Sequence, residues 1–83
     1  METRVAVIGI IVQDTDSVGA LNELLHEYRD SIIGRMGLPY REKGVNIVSL
    51  AVDAPSDTIS ALSGRIGKLN GVSAKVAYAP VSA

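Results

Sequence analysis

The stretch at residues 56–78, SDTISALSGRIGKLNGVSAKVAY, restricts the fold more than any other part of the chain. Ile59, Leu62, Ile66 and Leu69 recur at spacings of three and four, so they share one face of a helix. Ser56 reads as the N-cap, and Asp57 in the first turn suits the positive end of the helix dipole. Arg65 and Lys68 fall in the last turns, and Asn70-Gly71 supplies a left-handed stop. Val72, Ala74, Val76 and Tyr78 then alternate with Ser73, Lys75 and Ala77, which is the period of a strand. A helix that is apolar on one side only needs a sheet to cover.

The preceding residues supply that sheet. Arg4–Val12 is apolar at nearly every position, as expected of an interior strand covered on both faces, and Gly9 within it would permit close approach of another group. Residues 13–17 are turn and cap chemistry, with Asp14 or Asp16 as the N-cap of a helix running to about Arg29. Val18, Leu21, Leu24, Leu25 and Tyr28 form its apolar side. Residues 33–40 read as a strand broken by Gly34, Gly37 and Pro39, which push it to a sheet edge. Arg41–Gly44 is a polar hairpin turn, and residues 45–53 form another strand apolar on both faces. Residues 80–83 read as a frayed tail of a single domain spanning 1–83.

The order is β-α-β-β-α-β, the split-βαβ or ferredoxin-like arrangement. The expected fold is therefore α+β: a four-stranded antiparallel sheet with two helices on one face. The first and third strands should be central, the second and fourth at the edges. The other sheet face would then be apolar with nothing in this chain to cover it, which predicts a homo-oligomer, dimer or tetramer.

Composition removes several classes of function. At 83 residues with 47% hydrophobic and only 4% aromatic residues, the core must be aliphatic. A net charge of −1 leaves no electrostatic footprint for nucleic acid or an anionic membrane. The absence of cysteine excludes disulfides, thiolate metal sites and a cysteine nucleophile. The apolar run at residues 5–12 is about eight residues, too short to span a bilayer, and lacks a signal-peptide cleavage region. A soluble, cytoplasmic domain is expected. No GxSxG, Walker loop, GxGxxG or HExxH is present, so no enzyme, cofactor or metal is expected.

With these residues placed, Asp16-Ser17-Val18-Gly19-Ala20-Leu21 resembles the Asp-x-Pro-Gly-x-Leu signature of ACT domains, small ferredoxin-like modules that bind amino acids. Val18 stands where that family usually has proline. The resemblance implies an effector pocket at an interface, formed by Asp16, Ser17, Val18, Gly19 and Asn22. A broader likeness covers most of the chain. Asn22-Glu23-Leu24-Leu25-His26, Arg35-x-Gly37-x-Pro39-x-Arg41-Glu42 and Asp57-Thr58-Ile59-x-Ala61-Leu62-Ser63-Gly64 together resemble the ACT-like regulator family of the iron-only hydrogenase system. Residues 57–76 are also similar to the regulatory domain of the nickel-responsive repressor. That relative's nickel site, built from His and Cys, does not carry over, and direct DNA binding is not expected. The resemblance implies a regulatory or sensory module that oligomerises and binds a small effector such as an amino acid. The alternative is an adaptor that oligomerises and binds a protein partner without a ligand.

Several residues carry a plain reading beside the functional one. His26 lies off the apolar face and reads as solvated, with an interface or anion contact, where His26 from two subunits converge, as the alternative; Glu23-x-x-His26 has helical ligand spacing but too few ligands for a metal. Gly19 is either part of an anion site at a helix N-terminus or merely a small residue in a first turn. Gly64 and Gly67 inside a helix suggest close packing, or else a helix face that a ligand or a partner backbone approaches. Arg35, Arg41 and Lys43, with Tyr40 beside them, are either a charge-protected strand edge or an anion or partner contact across an oligomer interface.

Overall fold

The computed structural model describes residues 2–80. Its strands are β1 (Arg4–Val12), β2 (Ile32–Tyr40), β3 (Val45–Ala54) and β4 (Val72–Tyr78), and its helices are α1 (Val18–Glu27) and α2 (Ser56–Gly67). The strands form one antiparallel sheet in the order β2-β3-β1-β4. This is the ferredoxin-like α+β sandwich expected from the order of elements, with the two most continuously apolar strands at its centre. Of the tail expected to fray, residues 81–83 lie outside the described residues. Ala79 still donates its N–H to the Val5 carbonyl at 2.9 Å, one residue beyond β4.

One side of the sheet is sealed. Ala6, Ile8, Ile10 and Val12 of β1 and Val48, Leu50, Val52 and Ala54 of β3 are buried under Leu21, Leu24 and Leu25 of α1 and Ile59, Leu62 and Ile66 of α2. Each fully buried aliphatic side chain of this size contributes roughly 1.5–3 kcal/mol by leaving water. The spacing of three and four along each helix thus meets the alternation of each strand.

The other side is bare, so β1 is covered on one face only and not on both. Val5, Val7 and Ile11 of β1 join Met36, Leu38 and Tyr40 of β2 and Ile47 of β3 there, all substantially exposed. Gly9 lies on this open face, where an added Cβ would come no nearer than 4.0 Å to another atom, so it does not serve a close approach.

Local structure departs from the expected caps for identifiable reasons. Asp14 accepts from the Asp16 N–H and opens a 3₁₀ turn, Thr15–Ser17, ahead of α1. Ser17 is the N-cap of α1 but makes no cap bond: its backbone is already helical, at φ −84° and ψ −7°, and its hydroxyl donates to the Asn70 carbonyl at 2.6 Å. The helix ends at Glu27, and a second 3₁₀ turn, Arg29–Ser31, leads into β2 at Ile32. In α2 the N-cap is Pro55, not Ser56: its carbonyl accepts from Thr58 and Ile59, while the Asp57 carboxylate also accepts from Thr58. Proline cannot donate, and at this position no donor is required. Gly64 and Gly67 do not serve packing, since a Cβ at either would meet nothing within 4 Å.

Candidate functional site

Strand β2 stands apart from the sealed layer. Only Ile32 is half-buried, and the remaining eight residues are exposed, because the two helices lie over the rest of the sheet. The uncovered helix-side surface of β2 and the flank of α1 therefore bound a cleft. α1 contributes Val18, Leu21 and Asn22, and β2 contributes Arg35, Gly37 and Pro39. Asn46 and Val48 of β3 and Val12 of β1 close its inner side. The volume is about 260 Å³.

Pairing register explains why these β2 residues share the cleft. Arg35 lies opposite Leu50, Gly37 opposite Val48 and Pro39 opposite Asn46, so all three face the helix side. A bulge between Ile32 and Gly34 sets this phase. Without that extra residue the alternation would turn Arg35 to the open face.

Arg35 and Asn22 join the two walls. The Arg35 Nη2 donates to Asn22 Oδ1 at 2.8 Å. Beyond this bond lies a second depression of about 410 Å³, lined by Asn22, Leu25, His26, Arg29, Ile32 and Arg35. Arg29 donates to the His26 carbonyl at 3.0 Å. Among the described residues, neither compartment includes a carboxylate in its lining.

The residues expected to bind an effector are thus divided. Val18 and Asn22 line the cleft, and Arg35, expected only as an interface or anion contact, joins them. His26 lines the second compartment. Asp16 and Gly19 are exposed and do not line the cleft, and the Ser17 hydroxyl is committed to Asn70. Tyr40 and Arg41 sit at a separate depression of about 120 Å³ with Thr15 and Val45, and the Tyr40 hydroxyl donates to Glu42 at 3.1 Å. Sequence reading missed Gly37, Pro39 and Asn46 as wall residues. The signal was their alternation with Met36 and Leu38, which assigns a face only once the register with β3 is known. Among the described residues no three His, Cys, Asp or Glu side chains gather in a way that could hold a metal ion, so Glu23 and His26 have no third ligand.

Sheet order, helix placement and a metabolite-sized cleft beside an edge strand define a small ferredoxin-like module with a ligand-sized groove. The chain belongs to the TM1266-like family, described as "Iron-only hydrogenase system regulator, putative", whose model matches residues 4–76. Among solved structures it is similar to the uncharacterized protein TM1266 from Thermotoga maritima. The two share 35% identity and a TM-score of 0.91 over 95% of this chain and 100% of that one. No curated protein matches the sequence. No helix among the described residues is long and apolar enough to cross a membrane.

Proposed function

We propose that this chain is a regulatory module of an iron-only hydrogenase system, acting as a homo-oligomer that senses a small effector in the α1–β2 cleft. One observation carries the reading. β2 turns Arg35, Gly37 and Pro39 toward the cleft and the alternate residues Met36 and Tyr40 toward the open apolar face, while Leu38, in the same alternate phase, also contributes to the cleft lining. A ligand between α1 and β2 therefore acts on the strand that also forms part of the bare face. It shifts assembly to the extent that it binds better to one position of β2 than another.

The bare face suits a second copy of the chain. Four strands about 4.8 Å apart and about eight residues long cover roughly 500 Å² per copy. Two copies would bury about 1,000 Å² in total, near the lower bound for a specific interface. Its charged residues are Asp53 and Lys75, which balance, so a strongly charged partner gains nothing there.

Native mass spectrometry of protein purified from its own cells, with bound small molecules retained, tests the reading. An oligomer carrying one reproducible extra mass supports it. A bare oligomer favours the adaptor, which binds a protein partner and no ligand. A strict monomer overturns the assembly. Val7→Lys, in the middle of the open face, is expected to give a folded monomer, since its side chain is 44% exposed in the isolated chain. The effect on monomer stability should stay within about 0.5 kcal/mol.

A further inference from the structure

The cleft has a chemical polarity that the sensor reading alone does not use. Its first compartment is walled largely by aliphatic groups, among them Val12, Val18, Leu21 and Val48, and Arg35 is the one charged residue in its lining. The second compartment shares Arg35 and adds Arg29 and His26. Among the described residues the only ion pair is Arg65 with Glu27, so Arg35 has no carboxylate partner. Its one side-chain bond, to the neutral amide of Asn22, leaves the guanidinium charge uncompensated and most of its donors available.

We infer that the cleft takes a small amphipathic anion without a cationic centre. This rests on the sensor reading above and names the ligand class. The apolar body lies against Val18, Leu21 and Val48, and the anionic head meets Arg35 from the side of Arg29. A guanidinium fork binds a carboxylate or phosphate through paired charge-assisted hydrogen bonds. An ammonium group would instead meet two guanidinium groups and no carboxylate, a like-charge contact that disfavours amines and lowers affinity for zwitterions. The apolar compartment, about 260 Å³, lies just under the usual range for ligand pockets, which suits an apolar body of a few carbons.

Titrations of the intact protein followed by amide NMR test this with hexanoate, hexyl phosphate, hexylamine and inorganic phosphate. Saturable shifts at Asn22, Arg35, Gly37 and Val48 are expected with hexanoate or hexyl phosphate, and whichever binds identifies the head group. Hexylamine and inorganic phosphate should bind at least about tenfold more weakly, and Arg35→Gln should weaken the anion at least about tenfold, the loss of one charge-assisted contact. Arg35 is exposed, so the variant's own amide spectrum verifies its fold. Equal binding of hexylamine, unchanged affinity in Arg35→Gln, or no shifts with either amphipathic anion overturns the inference. An oligomer that retains a cationic or zwitterionic mass in native spectra would sink the anion class and leave the sensor intact.

Discussion

Arg35 on the edge strand donates to Asn22 on the first helix at 2.8 Å, joining two elements that otherwise leave a cleft between them. Both residues are exposed, so the bond is made in competition with water and contributes little to global stability. Its consequence is local, because β2 has little else holding it to the helical layer. Asn22→Ala should lower unfolding free energy by less than about 1 kcal/mol. It should also speed hydrogen exchange of the β2 amides paired to β3, while those of β1 stay unchanged. Uniform exchange across the sheet would show that β2 opens only with the whole fold.

Gly71 and Gly44 both adopt left-handed backbone, at φ 68° and 65°, yet alanine should not cost the same at each. A Cβ at Gly71 would lie 2.6 Å from the Asp14 Cβ and 2.9 Å from its nitrogen, whereas at Gly44 it meets nothing within 4 Å. Gly44→Ala is expected to cost about 1–2 kcal/mol from the backbone alone. Gly71→Ala adds overlap with backbone at the β1 end, for a total of about 2–5 kcal/mol. Urea denaturation of the two variants measures the difference directly.

Gly64→Ala should stabilise the chain. The residue is inside α2, exposed, and an added Cβ has open space around it. Alanine then contributes about 0.5–1 kcal/mol through helix propensity and a less flexible unfolded chain. Thermal denaturation with a lowered midpoint would mean that this helix face is covered in the assembled protein.

The Glu27–Arg65 pair joins α1 to α2, with the Arg65 guanidinium also over the Tyr28 ring at 5.6 Å. The hydrogen bond from Arg65 holds the Glu27 carboxyl below its ordinary value of 4.5 and raises the arginine further from neutrality. A lowered folded-state value means the unfolded chain takes up the proton first. The contribution is complete above the ordinary carboxylate range and is lost as pH falls through the lowered value. Both groups are solvent-exposed, so the effect is small. Glu27→Gln should lower the thermal midpoint slightly near neutral pH and leave it unchanged at pH below the lowered carboxyl value, so that the acid limb flattens from above, as measured by thermal midpoints across pH.

Periodicity made most of the architecture legible. Ile59, Leu62 and Ile66 in α2 and Leu21, Leu24 and Leu25 in α1 declare their buried faces by spacing alone. Continuous apolarity in β1 and β3, set against the glycines and proline of β2, separates central from edge strands. Cap chemistry was less legible, because several residues that suit a cap stand side by side and the backbone angles decide among them. Asp14 caps the 3₁₀ turn ahead of α1 and not the helix itself, and Pro55 stands at the N-cap of α2 in place of Ser56.

The sequence by itself determined which strands and main helices form, which faces the helices bury and which strands are interior, because these depend on patterns repeated within one element. Only the tertiary structure decided that Arg35 meets Asn22, that Asp16 and Gly19 stand outside the cleft, and that Gly64 and Gly67 face open space. Those outcomes depend on the β2–β3 register, the bulge after Ile32 and how far the helices extend over the sheet. Such relations between elements are fixed by packing, and a local residue pattern does not record them.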